Sequence, residues 1–465
     1  MGKSPRAYSQ SRDRKIFDVA LELTDKVRQP AGSDPRFSNP DSISKNMNAF
    51  IEAYNRGMGD LHARIIGEMF NRERKLRWSG VAVNKDQDIR LYRRVNDAIV
   101  WTGLSHRRHL VKALCSWSTD TRPVLGQANP KAVLTWMASV DVRREFPVWT
   151  DTTSFIGPGD VILFGPSNRY RFVELKQIGS AIISVPPNPP TAGMRNLRKF
   201  AHQEVGQSAG DKIVDRLTRQ VKKMGEADRL MKTGKGKHPF TQVDMDMLEN
   251  DVPEAHYGEK MTKLIEGALN GPSGTDLIEG CVWVAAYPRN EIMGGLAFLE
   301  SARMVFTDDR SGEGRAEFFE RTTDEVFSSR ELQGYPIVKP PPILPISRLA
   351  SAALLTQQVT LLSYLDWDAF ADLVNSTNVL RFQWTGPDEL AWLTTKESDP
   401  LTSNNEKSMP IKTWRGTPTL VHKHYRIELG PPTLFRILGD FVLPSTIVEE
   451  NFQPNLLEQF MKLTR

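Results

Sequence analysis

The sequence predicts an α/β fold in which a mixed sheet forms a central core, flanked by mainly helical N- and C-terminal regions. Three observations support this prediction. Apolar residues recur three and four positions apart over most of 46–118, a spacing typical of helices. Short apolar runs separated by turn residues follow at 146–178, as in strands. A second long helical pattern covers 197–231, so the strands lie between helices.

Composition indicates a soluble globular chain. Hydrophobic residues make up 39% and charged residues 25% of the 465 positions, values near those of ordinary soluble proteins. No apolar run approaches the ~18 residues of a membrane helix, and the N-terminus lacks the apolar stretch of a secretory signal. We therefore expect a cytoplasmic location, or a nuclear one in a eukaryote, and no membrane partner.

The net charge bears on which partners the chain can bind, and the two cysteines bear on whether it contains a disulfide. The net charge of +5 is compatible with nucleic acid as a partner without being diagnostic of it. Cys115 and Cys281 are each flanked by apolar residues, which favours two buried thiols over a disulfide.

Changes in composition and hydrophobic pattern divide the chain into five predicted segments. In order they are a polar, partly disordered arm (1–45), a helical region (46–129), the sheet-containing core (130–300), a connecting segment with a Pro-rich linker (301–345) and a C-terminal helical and mixed domain (346–465). Within the arm we expect one short helix at 13–27. The flanking helical regions could choose a substrate, assemble a homo-oligomer or bind a partner protein.

The segment GPGDVILFGPSNRYRFVELKQI, residues 157–178, places ionisable groups among apolar ones. If GPSN forms the turn of an antiparallel hairpin centred near Ser167, Asp160 faces Glu174 across the strands. Facing residues have Cβ atoms roughly 4.5–5.5 Å apart, so these carboxylates repel unless a cation lies between them or one is protonated. Lys176 shares a face with Glu174, and three ionisable groups therefore converge.

This combination suits metal-assisted hydrolysis of phosphodiester bonds. Mg²⁺ prefers oxygen ligands, keeps several waters and is often completed by substrate phosphate. A neighbouring lysine can orient or deprotonate a metal-bound water, or offset charge in the transition state. The alternative is a surface ion pair worth ~0–1 kcal/mol, but the runs VILF and FVEL are too apolar for an exposed hairpin.

A strand bearing Asp160, a turn, and a strand ending in Glu174-Leu175-Lys176 resemble the PD-(D/E)xK nuclease superfamily, with Gly159 at the position of the eponymous proline. The resemblance covers the core segment and leaves both flanks unassigned. It implies a restriction-endonuclease-like core. It also implies a nuclease acting on nucleic acid, with DNA as the expected substrate, in restriction, phage defence or repair.

The resemblance assigns roles to four residues. Asp160 and Glu174 would be metal ligands, and Leu175 would contribute its backbone carbonyl. Lys176 would be the catalytic lysine. The implied cofactor is Mg²⁺ or Mn²⁺.

Two further positions fit the same superfamily. Members often carry a glutamate ahead of the aspartate strand, and Glu145 precedes a strand-like run here. Members also often place a polar residue on the helix after the lysine strand. Gln220 shares a helical face with Ile213, Leu217 and Met224. A glutamine on such a face needs hydrogen-bond partners, which the active-site edge of the sheet would supply.

Two groups of basic residues follow the hairpin in sequence. A basic stripe is usually a solvated face, but beside a metal site it would follow a phosphate backbone. One group lines the helix that carries Gln220 and the other belongs to a loop: Lys212, Arg216, Arg219, Lys223, Lys235 and Lys237.

Other motifs give weaker signals. The pairs His106/His109 and His422/His424 are interpreted as structural or surface residues, because neither has a cluster of further metal ligands in sequence. Tryptophans such as Trp78 recur on apolar helical faces and are interpreted as core residues. The predicted function is therefore a metal-dependent nuclease. The alternative is a nucleic-acid-binding or structural protein that kept the fold without the chemistry.

Overall fold

The chain folds into two compact units, each mixing helices with small antiparallel sheets. The computed structural model describes residues 5–79, 82–83, 86–115, 130–166, 169–178, 180–246, 254–289, 327–329, 337–377, 379–385, 417–421, 426–429 and 431–450. The first unit contains 1–249 and 340–343, and the second contains 250–339 and 344–465. No helix in the described part is long and apolar enough to cross a lipid bilayer. Cys115 and Cys281 are buried free thiols, as predicted.

Within the described residues, six α-helices precede the sheet of the first unit. They are α1 (Pro5–Arg28), α2 (Pro40–Lys45), α3 (Met47–Ser79), α4 (Gln87–Gly103), α5 (Arg108–Leu114) and α6 (Pro130–Met137). The helix expected within a polar arm is longer than predicted. Ala20, Leu23 and Val27 on α1 are buried, because their spacing of three and four packs one face into the unit. Asp86 caps α4 by accepting hydrogen bonds from two backbone N–H groups.

The sheet of the first unit consists of four strands adjacent in chain order. They are β1 (Phe146–Trp149), β2 (Val161–Gly165), β3 (Arg169–Ile178) and β4 (Ala181–Val185). We expected a mixed sheet, but every neighbouring pair is antiparallel. Only two residues separate β3 from β4, which is too few for a parallel crossover. Val161 pairs with Val173, which confirms the register predicted from a turn centred near Ser167, itself outside the described residues.

Two helices pack on the β3–β4 side of this sheet. They are α7 (Thr191–Val205) and α8 (Gln207–Thr233). Their shared core combines Ile178, Val185, Leu197, Ala201, Val214 and Leu217. The single helix predicted here is divided at Gly206, whose φ of +83° suits glycine. Gly234 ends α8 in the left-handed conformation. The short strands β5 (Lys235–Lys237) and β6 (Asp244–Asp246) then pair antiparallel.

The second unit contains two further antiparallel sheets. The described elements of this unit are α9 (Gly258–Asn270), β7 (Gly274–Ile278), β8 (Val282–Pro288), β9 (Phe327–Ser328), α10 (Arg348–Leu355), β10 (Val359–Leu365), α11 (Trp367–Ser376), β11 (Arg381–Thr385), β12 (Thr417–Val421), β13 (Arg426–Glu428), α12 (Pro431–Leu434), a π-helical turn (Phe435–Gly439) and α13 (Pro444–Glu450). The larger sheet has the strand order β7-β8-β10-β9 and the smaller one β11-β12-β13.

The boundary between the two compact units falls after Glu249, within the predicted core segment 130–300. The sequence also predicts one strand at 278–287, where the structure has the hairpin of β7 and β8, turned at Gly280 with φ +72°. For 347–374 the helical spacing predicts a continuous helix, but the stretch VTLLSYL forms β10, because it pairs along its whole length with β8. His422 and His424 lie outside the described residues.

Candidate active site

Asp160, Glu174 and Lys176 lie close together at one end of the first unit's sheet, on or just before its two central strands. Asp160 lies immediately before β2, and its backbone N–H donates to the Val173 carbonyl at 3.0 Å. Its Oδ2 accepts a hydrogen bond from the Leu175 N–H at 2.7 Å. The Asp160 carboxylate is therefore held against β3, beside the strand residues that carry the other two groups.

Lys176 is the cation that two facing carboxylates require. Its Nζ donates a hydrogen bond to Glu174 Oε1 and lies 3.9 Å from Asp160 Oδ2. The Glu174 side chain is fully buried, whereas those of Lys176 and Asp160 are 17% and 24% exposed. Glu174 Oε2 is buried and has no hydrogen-bond partner among the described residues. One oxygen of this carboxylate is thus neutralised and the other is left without a donor.

Burial controls the protonation of the two carboxyls. It raises the pKa of Glu174 to about 7, and the negative charge of Asp160 adds to this rise. Burial also raises the pKa of Asp160, while Lys176 and the Leu175 N–H oppose the increase. A carboxylate removed from water favours its neutral form unless a positive charge or a donor compensates. A hydrogen bond between the two carboxyls also raises the pKa of Glu174 and lowers that of Asp160, so Glu174 holds its proton more firmly than Asp160 does.

Helix α8 covers this pair with a stripe of residues four apart. The charge of Arg216 acts on Asp160 and lowers the pKa of its carboxyl. At the other end, Met224 Sδ would lie 2.9 Å from a Cβ built on Gly159. Gln220 is one turn from both residues and lies on the same face. Its Oε1 is buried and has no hydrogen-bond partner among the described residues.

The backbone before Asp160 requires glycine. Gly159 has φ +73°, whereas proline is confined to φ near −65°. A Cβ at this position would also approach the Val173 carbonyl oxygen to 3.2 Å and Met224 Sδ to 2.9 Å. Proline, which the motif resembled by this segment has at this position, could therefore not adopt this backbone conformation.

Thr150 and His62 fix the backbone on the other side of Asp160. The Thr150 N–H donates to the Asp160 carbonyl at 3.0 Å. His62, buried on α3, accepts a hydrogen bond on Nε2 from the Trp149 N–H at 2.8 Å. Its Nδ1 lies 2.9 Å from Asn96 Oδ1, so Nδ1 carries the proton. Burial lowers the pKa of His62 to about 4, which keeps the ring neutral.

Helix α4 holds the segment that follows β1. Arg93 donates to two of the three carbonyls of residues 151–153, and Asn96 donates to the third. Asp97 accepts a hydrogen bond from the Ser154 N–H at 2.8 Å. Sequence reasoning missed these supporting residues. The available signal was the set of polar residues inside the apolar helical pattern IRLYRRVNDAIVW.

The structure does not place Glu145 with the other candidates. Trp149, at the end of β1, pairs with Val161, so the start of β1 lies at the opposite end of the sheet from Asp160. Glu145 accepts hydrogen bonds from Arg171 on both oxygens, the closest at 2.7 Å. At about 3.4 Å per strand residue, four residues separate Glu145 from the site by more than a ligand can span.

The basic candidates are exposed side chains, of which Arg216 alone is shown to act on the carboxylate pair. All six are exposed: Lys212, Arg216, Arg219, Lys223, Lys235 and Lys237. Arg216 borders the carboxylate pair through its effect on Asp160. Lys223 Nζ lies 4.8 Å from the ring centre of Phe240, and Lys237 lies 3.7 Å from Asp244. The stripe on α8 therefore presents positive charge beside Asp160.

The oxygen atoms at this end of the sheet suit a hard divalent cation. Among the described residues, no group of three or more His, Cys, Asp or Glu side chains is placed to hold a metal ion. The donors here are of mixed type. The carbonyl of a strand residue points to the same side as its N–H, so the Leu175 carbonyl faces the Asp160 side. Glu174 Oε2 and Gln220 Oε1 have no hydrogen-bond partner within the described ranges, and oxygen donors of this kind suit Mg²⁺ or Mn²⁺.

Comparisons with protein-family models, with curated proteins and with solved structures found no match to this chain. The interpretation of the site therefore depends on its own geometry. That geometry joins two carboxylates and a lysine, and Gln220 lies on the helix that packs over them.

Proposed function

We propose that the chain is a metal-dependent nuclease that hydrolyses phosphodiester bonds of nucleic acid, with DNA as the expected substrate. The main support is the convergence of Asp160, Glu174 and Lys176, with Glu174 Oε2 buried and without a hydrogen-bond partner in the described part of the chain. The order of the motif, an aspartate followed on the next strand by Glu-x-Lys, resembles that of the PD-(D/E)xK superfamily.

Mg²⁺ or Mn²⁺ would be held by the carboxylates of Asp160 and Glu174 and by the Leu175 carbonyl, with Gln220 Oε1 nearby. When bound, such an ion lowers the pKa of a bound water and polarises a phosphoryl oxygen.

The residues of the chain supply the remaining functions. Lys176, 3.9 Å from Asp160 Oδ2, would orient the attacking water and offset charge that develops on the phosphate. Glu174, whose pKa is raised to about 7 by burial, would lose its proton when its carboxylate holds the ion. Arg216, exposed on α8, would attract the phosphates next to the cleaved bond.

The test is cleavage of plasmid DNA, single-stranded DNA and RNA by the purified full chain with Mg²⁺ or Mn²⁺. Asp160→Asn keeps an acceptor for the Leu175 N–H, and Lys176→Met keeps the length of the side chain. Both changes should lower the cleavage rate at least a hundredfold, since each removes a group that acts on the reacting phosphate.

Glu145→Gln is the matched control, because it neutralises a carboxylate on the same sheet at the opposite end. It should leave the rate within about twofold. Absence of cleavage by the wild-type chain, or equal cleavage by Asp160→Asn, would disprove the proposal. Nucleic-acid binding without cleavage would support the non-catalytic alternative.

A further inference from the structure

Trp78 lies in the last turn of α3 and is 90% exposed. The sequence-based interpretation of this residue as part of the core is therefore wrong. Tryptophan is highly buried on average in folded proteins, so this degree of exposure is unusual. The surroundings of Trp78 indicate what would cover it.

Exposed cations surround this indole. Arg74, Lys75 and Arg77 are all exposed and form no ion pair with the described residues. Arg74 precedes Trp78 by four positions and shares its face of the helix, and Lys75 and Arg77 flank that face on either side. Glu73, the acidic residue of the same turn, is buried. The surface therefore combines one aromatic ring with three unneutralised positive charges.

Helix α3 carries this surface toward the end of the sheet where the candidate active site lies. The Tyr54 ring contacts Phe146 at the start of β1, and Phe70 contacts Trp149 at its end, each with ring centres 6.0 Å apart. Trp78 follows Phe70 by two turns, about 12 Å along the helix axis. Since Trp149 leads into the segment that holds the catalytic aspartate, the aromatic surface projects beyond that end.

We propose that Trp78, Arg74, Lys75 and Arg77 form a binding surface for an unpaired nucleic-acid strand. A base would stack on the indole while the three cations contact phosphates. Bases inside a duplex have both faces covered by their neighbours, so the indole selects unpaired ones. The inference rests on the proposed nuclease function and deepens it. It assigns substrates with a single-stranded segment, such as an overhang, a flap or a frayed end.

The experiment is fluorescence anisotropy of labelled single-stranded and duplex oligonucleotides with the full chain in EDTA, so that binding is measured without cleavage. Trp78→Leu should weaken single-strand binding by about tenfold, because the stacking contribution is lost. Trp78→Phe should retain most of the affinity. Arg56→Gln is the control, because it removes an exposed charge that is paired with Glu52 on the same helix.

Replacement of Arg74, Lys75 and Arg77 by glutamine tests the electrostatic part. The slope of log K against log salt should fall by about 2, since each single-strand phosphate contact contributes about 0.7. Unchanged binding by Trp78→Leu, equal wild-type affinity for duplex and single strand, or binding only to vesicles of anionic lipid would overturn the inference.

Failure of this inference and failure of the nuclease proposal give different results. A chain that binds unpaired strands through Trp78 and cuts nothing would disprove the nuclease function alone. A chain that cuts DNA while Trp78→Leu binds normally would disprove the stacking surface alone.

Discussion

Glu174 Oε1 accepts a hydrogen bond from Lys176 Nζ, whereas the other oxygen of the same carboxylate, Oε2, is buried without a hydrogen-bond partner among the described residues. A buried acceptor that lacks a donor costs free energy, and most such atoms in folded proteins are satisfied. A proton on the carboxyl or a cation beside it would remove this cost. The two possibilities predict how cleavage and stability depend on pH.

Cleavage should increase as the pH rises through about 7. The pKa of Glu174 is raised to about 7 by burial, so the carboxyl is neutral below that pH and ionised above it. Since metal ligation requires the ionised form, we expect single-turnover rates to rise about tenfold per pH unit on the acidic side and to level off above. A flat profile between pH 5.5 and 7 would contradict the assigned role of Glu174.

Stability should change in the opposite direction in metal-free buffer. The folded chain holds a proton on Glu174 that the unfolded chain releases above about pH 4.5, the ordinary pKa of glutamate. The free energy of unfolding should therefore fall as the pH rises from about 4.5 to 7. Glu174→Gln should flatten this dependence in urea titrations. The same slope in wild type and variant would show that other groups dominate it.

Gly159→Ala should destabilise the first unit, and Gly159→Pro should destabilise it more. A backbone φ of +73° is strained for alanine, and proline cannot adopt it. The added Cβ would also lie only 2.9 Å from Met224 Sδ. Gly32→Ala is the matched control, because Gly32 has φ +76° but open space around its Cβ position. Urea denaturation should show a loss of about 1 kcal/mol for Gly32→Ala and a clearly larger one for Gly159→Ala. Equal losses would rule out the steric contribution.

Glu254 should be important for the stability of the second unit. Its carboxylate lies 3.0 Å from Arg436 Nη2 and 2.7 Å from Lys339 Nζ, and all three side chains are largely buried. Glu254→Gln leaves those cations incompletely paired, so we expect a loss of about 3 kcal/mol. Glu259→Gln, which breaks an exposed pair with Lys263, should cost less than 1 kcal/mol. Thermal or urea unfolding of both variants compares the two losses.

Local patterns were enough to predict the hairpin and its register. The apolar runs VILF and FVEL, with turn residues between them, aligned Val161 with Val173. Helical spacing likewise placed Gln220 on the same face as Met224, and the structure puts that face over Gly159. In each case the information lies within a few residues of the position concerned.

Features set by distant contacts could not be predicted in this way. β10 forms because β8 supplies backbone hydrogen-bond partners along the whole length of β10. This pairing outweighs the helix propensity of the leucines in β10. Glu145 has the residue type expected of a metal ligand, but strand direction places it at the wrong end of the sheet. Asn96 and Asp97 are buried polar groups that hydrogen-bond to the backbone of Thr152 and Ser154, more than fifty positions away in sequence.

Calorimetric titration of Mn²⁺ into the full chain tests the central claim most directly. The account predicts one binding site per chain in the wild type, its loss in Asp160→Asn and its retention in Glu145→Gln. It also predicts that protons are released on binding at pH 6.5, because the pKa of Glu174 is raised to about 7. Absence of Mn²⁺ binding by the wild-type chain, or equal binding by Asp160→Asn, would contradict it.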